Sequence, residues 1–259
     1  MRNNSTWAPS PLLPTNWSRE AWHPLLTFIT FVGAVAIFVV AQTAYVLYAV
    51  DVAHTIDPNH VLDMPGGQLL IVQFVSWTPV ALYLLLIVPA LAKTSLAGLG
   101  FRAPTARDLQ IALAGTLVMA IVVTGTGSIV STLLHRHDVE QSVALLDTLK
   151  TPMQRGIFFF LACVCAPFYE ELAFRAFIYN ALTRYLPIPA ALLASGLVFG
   201  LLHVSEGGFT FLTVGLPLVF GGIILGYVYA TTKCFWANFI THAGFNAIGV
   251  IGILFFHVN

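Results

Sequence analysis

Long apolar runs separated by short polar breaks dominate the chain. The first, "LLTFITFVGAVAIFVVAQTAYVLYAV" at 25–50, contains no charged residue. A helix crosses a bilayer core with about 20 mostly apolar residues. On that test the pattern predicts about seven spans, roughly 25–50, 68–92, 109–133, 155–183, 188–205, 209–231 and 234–256. Backbone groups in lipid must be bonded within their own segment, so these runs are helices rather than open strands. The breaks are too short to hold a separate soluble domain. The predicted fold class is an all-α membrane protein, a polytopic helical bundle. It divides into an N-terminal cytoplasmic segment at 1–24, N-terminal spans and loops at 25–150, and a second half at 151–259 that carries the candidate chemistry.

The first run is too long for the roughly 7–15 residue core of a signal peptide and reads as a retained anchor. Orientation follows from the Lys/Arg bias of short loops. Arg2, Arg19, Lys93, Arg102, Arg107, Arg184 and Lys233 fall on one side; Arg136, Lys150 and Arg155 fall on the other. The excess predicts a cytoplasmic N-terminus. Composition agrees with a membrane protein: the chain is 58% hydrophobic and 8% charged, with mean hydropathy +0.86. Eleven basic and eleven acidic residues balance, which points away from nucleic acid. Cys163, Cys165 and Cys234 lie in or beside apolar runs, an odd number without disulfide spacing, and read as buried thiols. Two glycosylation triplets, at Asn4 and Asn16, are too short to carry weight.

Small residues four apart, Gly196/Gly200 and Gly222/Gly226, predict close helix approach. Asp51, His54, Asp57, His60 and Asp63 recur every three residues after the first run. Pro58 interrupts any helix there, so the bland reading is a solvated loop rather than a metal site.

Three spans hold polar groups that the pattern does not expect: Glu170, Glu171 and Arg175; His203; His242 and Asn246. An ionisable group at mid-bilayer costs about 2.5–3.5 kcal/mol on insertion scales, which makes each a functional-site candidate. Glu171 and Arg175 share a helix face four residues apart and can pair; His242 and Asn246 share one likewise. Glu170 points about 100° away from Glu171. Pro167 lacks an N–H and should bend the span one turn before the glutamates. Taken singly, each group has an ordinary reading as an interhelical brace, a satisfied buried histidine or a helix-to-helix hydrogen bond. Taken together, three spans contribute acid/base groups, and Glu170 has no evident cation.

Known intramembrane protease signatures narrow the chemistry. No H-E-x-x-H motif occurs. Ser195 follows Leu193 where a rhomboid-type serine would need glycine, and no pair of mid-span aspartates exists. The remainder, E-E-x-x-x-R at Glu170-Glu171…Arg175, F-x-x-x-H at Phe199…His203 and H-x-x-x-N at His242…Asn246, occurs in order on successive spans. This trio resembles the CAAX-processing and bacteriocin-processing membrane endopeptidases, the CPBP or Abi family, relatives of the type 2 CAAX prenyl protease. The resemblance covers about residues 150–250. Ala176, where glycine commonly follows the arginine, and "TTKCF" at 231–235 depart from the family pattern without touching a polar position.

The resemblance implies a membrane-embedded endopeptidase, glutamate-dependent or metal-dependent, in a bacterial plasma membrane. Its substrate would be a membrane-associated protein or peptide, prenylated CAAX-type or leader-type. It implies that Glu170 activates water and that Arg175 holds Glu171, fixing the helix. His203, His242 and Asn246 would stabilise the oxyanion, or Glu170, His203 and His242 would bind zinc. Two other classes compete. A proton-coupled transporter would spread its relay over two related halves, whereas these groups crowd into the second half. A non-catalytic immunity or scaffold protein would have no reason to keep the full set.

Overall fold

Apolar length sets six of the helices, and polar side chains set where the others stop. The structure, a computed structural model, describes residues 22–58, 65–136, 138, 141–204 and 210–256. Nearly all of the predicted cytoplasmic segment, both glycosylation triplets, His60, Asp63 and residue 205 lie outside these residues. Among the described residues, α1 (Pro24–Asp51), α2 (Gly66–Leu91), α3 (Ala106–Leu134), α5 (Pro152–Leu182), α7 (Phe211–Thr232) and α8 (Phe235–Phe256) are long and apolar enough to cross a membrane. Between α3 and α5 lies a short helix, α4 (Gln141–Thr148). The predicted fifth span is α6 (Ile188–Leu202), of 15 residues. At 1.5 Å per residue it is about 22 Å long, short of the ~30 Å hydrocarbon core. It ends early because the His203 ring turns back on the last turn, with Nδ1 2.7 Å from the Phe199 carbonyl oxygen.

Local signals explain where the helices begin. Thr105 and Asp108 form a reciprocal capping box at the start of α3, and Thr151 with Gln154 forms another before α5. Pro24 and Pro152 occupy the first helical position, where a missing N–H costs nothing.

Packing separates the helices sharply. In the most apolar stretch of α1 only 6% of residues are buried within the protein, against 56% in α7. Thus α1 turns Leu25, Phe28, Val32, Val39 and Val40 outward, while α7 is the central strut, packed on α3, α6 and α8. The predicted glycine pairs explain the closeness of α6 and α7. A Cβ on Gly200 would lie 2.5 Å from the Gly215 carbonyl oxygen, and one on Gly222 would lie 2.9 Å from Gly196 Cα. The start of α8 is fixed from below. Arg102 donates to Asp108 Oδ2 at 2.7 Å and to the Thr232 carbonyl at 2.7 Å, while Phe235 N donates to Gly100 O at 2.8 Å.

The α5 helix is not uniform. It widens into π turns at Leu161–Cys165 and Leu172–Tyr179, on either side of Glu170 and Glu171. The bend expected from Pro167 takes the form of the first of these. The Ala166 N–H skips a residue and donates to the Leu161 carbonyl. Pro167 has no N–H, so the Ala162 carbonyl loses both donors that a helix could give it. Such wide turns recur at functional sites.

Candidate active site

Glu171 and Arg175 are both fully buried and paired, with Arg175 Nη1 donating to Glu171 Oε1 at 3.1 Å. Arg175 Nη2 donates to the Gly222 carbonyl at 3.1 Å, a reach that the close α6–α7 packing permits. The guanidinium also lies 4.9 Å from the Phe199 ring centroid, a cation–π distance. Glu171 Oε1 accepts in addition from His242 Nδ1 at 2.7 Å, and its Oε2 accepts from Asn238 Nδ2. Glu171 therefore joins α5 to α8, and Arg175 joins α5 to α7.

Glu170 faces the other way. Its Oε2 lies 3.7 Å from His242 Nε2 and 3.9 Å from His203 Nε2, and it is buried without a hydrogen-bond partner. Glu170 and His203 are only half-buried, whereas His242 is buried. The structure thus brings Glu170, His203 and His242 to one point, from α5, the end of α6 and α8. His203 and His242 approach the same carboxylate oxygen and so sit at one depth. Counting helix rise along α8, that depth is about 10 Å from the α8 end that follows Lys233.

Bonding partners fix the histidine protons. The Phe199 carbonyl has none to give, so His203 Nδ1 is the donor there. Glu171, already bonded to a guanidinium and an amide N–H, is an acceptor, so His242 Nδ1 donates to it. In the neutral ring each Nε2 then presents a lone pair towards Glu170.

Asn246 is placed differently from the other predicted residues. Its Nδ2 donates at 2.7 Å to the Ala162 carbonyl, the one that Pro167 and the first π turn leave bare. One amide proton is thereby engaged, and the second is not accounted for by that bond.

Zinc would sit about 2.0–2.2 Å from each nitrogen or oxygen ligand, placing tetrahedral neighbours about 3.4 Å apart. The Glu170–histidine separations exceed this. Among the described residues no group of three His, Cys, Asp or Glu is spaced to hold a metal ion, the Asp51–Asp57 stretch included. The trio as placed does not fit zinc.

Residues 152–248 match the family model described as "Type II CAAX prenyl endopeptidase Rce1-like". This region is similar to that family over less than half of the chain. No curated protein and no solved structure matches the chain. The Rce1-like match begins with α5 and ends two residues beyond Asn246, so it holds all three motifs and leaves α1 to α3 outside. Within the Rce1-like region, Ser195 is committed to structure, its hydroxyl 3.4 Å from the Phe174 carbonyl. The sequence reading missed Asn238. The signal was present: Asn238, His242 and Asn246 recur every four residues, one polar stripe along α8.

Proposed function

We propose that this protein is a membrane-embedded endopeptidase in which Glu170 activates water against a peptide bond of a membrane-associated substrate. The observation that carries the reading is the buried, unpartnered Oε2 of Glu170, faced by two histidine nitrogens at 3.7 and 3.9 Å. These separations are too long for direct hydrogen bonds, and a water oxygen within hydrogen-bond reach of all three atoms would bridge them.

Charge balance assigns the histidines separate parts. Glu170 and Glu171 carry two negative charges and Arg175 one positive, and an unbalanced buried charge is costly. A proton on His242 Nε2 closes the balance, because Glu171 already supports that ring at Nδ1. His203, bonded only to a neutral carbonyl, stays neutral, and its Nε2 accepts a hydrogen bond from the water O–H that remains on the attacking oxygen and ends in the new carboxyl group. Glu170 takes the second water proton, the only one transferred, as the water oxygen attacks the scissile carbonyl carbon. The resulting oxyanion receives the His242 Nε2 proton as a hydrogen bond, and Asn246 offers its second amide proton. When the C–N bond breaks, Glu170 returns its proton to the leaving amine. No step runs through a metal.

A CAAX-type prenylated tail is the substrate class that the Rce1-like family suggests, with leader-type peptides second and a bacterial plasma membrane as the setting. The test is cleavage by purified protein in detergent of a panel of prenylated and unprenylated peptides, wild type against Glu170→Gln. Cleavage by the wild type alone supports the reading, and equal cleavage by both ends the base assignment. Metal analysis of the same preparations decides the zinc alternative. One zinc per chain, lost with activity in His242→Ala and restored with it by added zinc, would replace the water-and-proton scheme.

A further inference from the structure

We propose that Asn238 is a positioning residue for the hydrolytic site, acting through Glu171 on His242; the proposal rests on the hydrolase reading above. Asn238 is fully buried on α8, one turn from His242 and on the same face. Its Nδ2 donates to Glu171 Oε2. A carboxylate has no proton to return, so the amide nitrogen, not the amide oxygen, must face Glu171.

That single bond divides the work of the Glu171 carboxylate. Asn238 holds Oε2, and Oε1 is left to Arg175 Nη1 and His242 Nδ1. Arg175 does not engage Glu171 as a two-pronged fork, because its Nη2 is committed to Gly222 on α7. A carboxylate held at one oxygen only is free to turn about its terminal torsion, which is broad. Without Asn238, Glu171 would rotate towards the guanidinium to give its bare oxygen a partner, since a buried unsatisfied acceptor is costly. Oε1 would then leave His242 Nδ1, and the ring would lose the partner that aims Nε2 at Glu170. Asn238 thus locks a carboxylate on α5 so that it can orient a histidine on Asn238's own helix. Losing a hydrogen bond to a charged group of this kind corresponds to about 10–100-fold in rate.

The experiment compares Asn238→Ala with Asn238→Ser in the purified full-length protein in detergent. The two side chains are nearly equal in size and differ in one hydroxyl donor. With a fluorogenic prenylated CAAX-type peptide and its unprenylated counterpart, Asn238→Ala is expected to lower kcat about 10–100-fold with KM changed less than about threefold. Asn238→Ser should recover at least about fivefold of that loss, as expected for a restored hydrogen bond worth roughly 1 kcal/mol. Equal kcat values for the two variants per folded molecule would overturn the proposal. A second measurement does not depend on turnover. In ¹⁵N-histidine-labelled protein the His242 Nδ1–H proton, assigned by its loss in His242→Gln, should resonate far downfield through its bond to Glu171. It should move upfield in Asn238→Ala and return in Asn238→Ser. An unmoved resonance in Asn238→Ala overturns the positioning role. If the wild type cleaves neither peptide while the resonance moves as stated, the hydrolase reading fails on this substrate class and the Asn238–Glu171–His242 coupling stands.

Discussion

Glu170 and Glu171 are neighbours in sequence and opposites in surroundings. Glu171 is fully buried, and its two oxygens take three donors from three residues. Glu170 is half-buried, and its Oε2 has none. The difference separates structural from chemical use of one side-chain type. A carboxylate whose oxygens are filled by donors is committed to structure, whereas an oxygen left short of donors inside a protein is open to another partner. The saturated glutamate holds α5, α7 and α8 in register; the unsaturated one faces the histidines.

Exchanging each charge for an amide is the sharpest way to break this comparison. Glu170→Gln should reduce turnover of any verified substrate by about 10²–10⁴-fold and leave yield and thermal stability in detergent unchanged. Turnover near wild type would place the base elsewhere. Arg175→Ala attacks the other side and should mainly harm yield and stability. It strands Glu171 in a fully buried position, and breaking such a pair from one side costs about 3–5 kcal/mol. Glu171→Gln combined with Arg175→Gln should recover part of the yield. A double variant as poorly expressed as Arg175→Ala would show that the pair is not the source of the loss.

A smaller effect sharpens the role of Asn246, which stands between the two kinds of use. Asn246→Ala should lower turnover by about 10²-fold, the scale of one transition-state donor. Part of that loss is predicted to be structural, because Asn246 supplies the donor that Pro167 denies the Ala162 carbonyl. Pro167→Ala restores a backbone N–H one turn before the glutamates. In that background Asn246→Ala should cost several-fold less than alone. An undiminished loss would assign Asn246 wholly to the substrate.

Much of this protein was legible before folding. The apolar runs located six spanning helices because a bilayer demands both length and backbone self-sufficiency. The i,i+4 spacing announced the Glu171–Arg175 pair, and the glycine pairs announced the α6–α7 contact, because both are properties of a single helix face. The length of α6 was misread, since hydropathy continues through Val204 while the His203 side chain ends the helix. Asn238 was overlooked although it lies on one stripe with His242 and Asn246, because periodicity places an amide on a helix face without naming its partner.

What the sequence by itself determined, then, is the set of helices, the face each polar group occupies and the likeness of residues 152–248 to the Rce1-like family model. It could not determine which glutamate would be satisfied. Helix periodicity places Glu170 and Glu171 about 100° apart and Arg175 beside Glu171, but only the packing of α8 against α5 decides which side meets Asn238 and His242 Nδ1. Likewise only the tertiary structure gave Asn246 to the Ala162 carbonyl. The physical reason is common to both. Periodicity is a local property of one helix, whereas hydrogen-bond satisfaction in a buried site belongs to the partners that other helices bring.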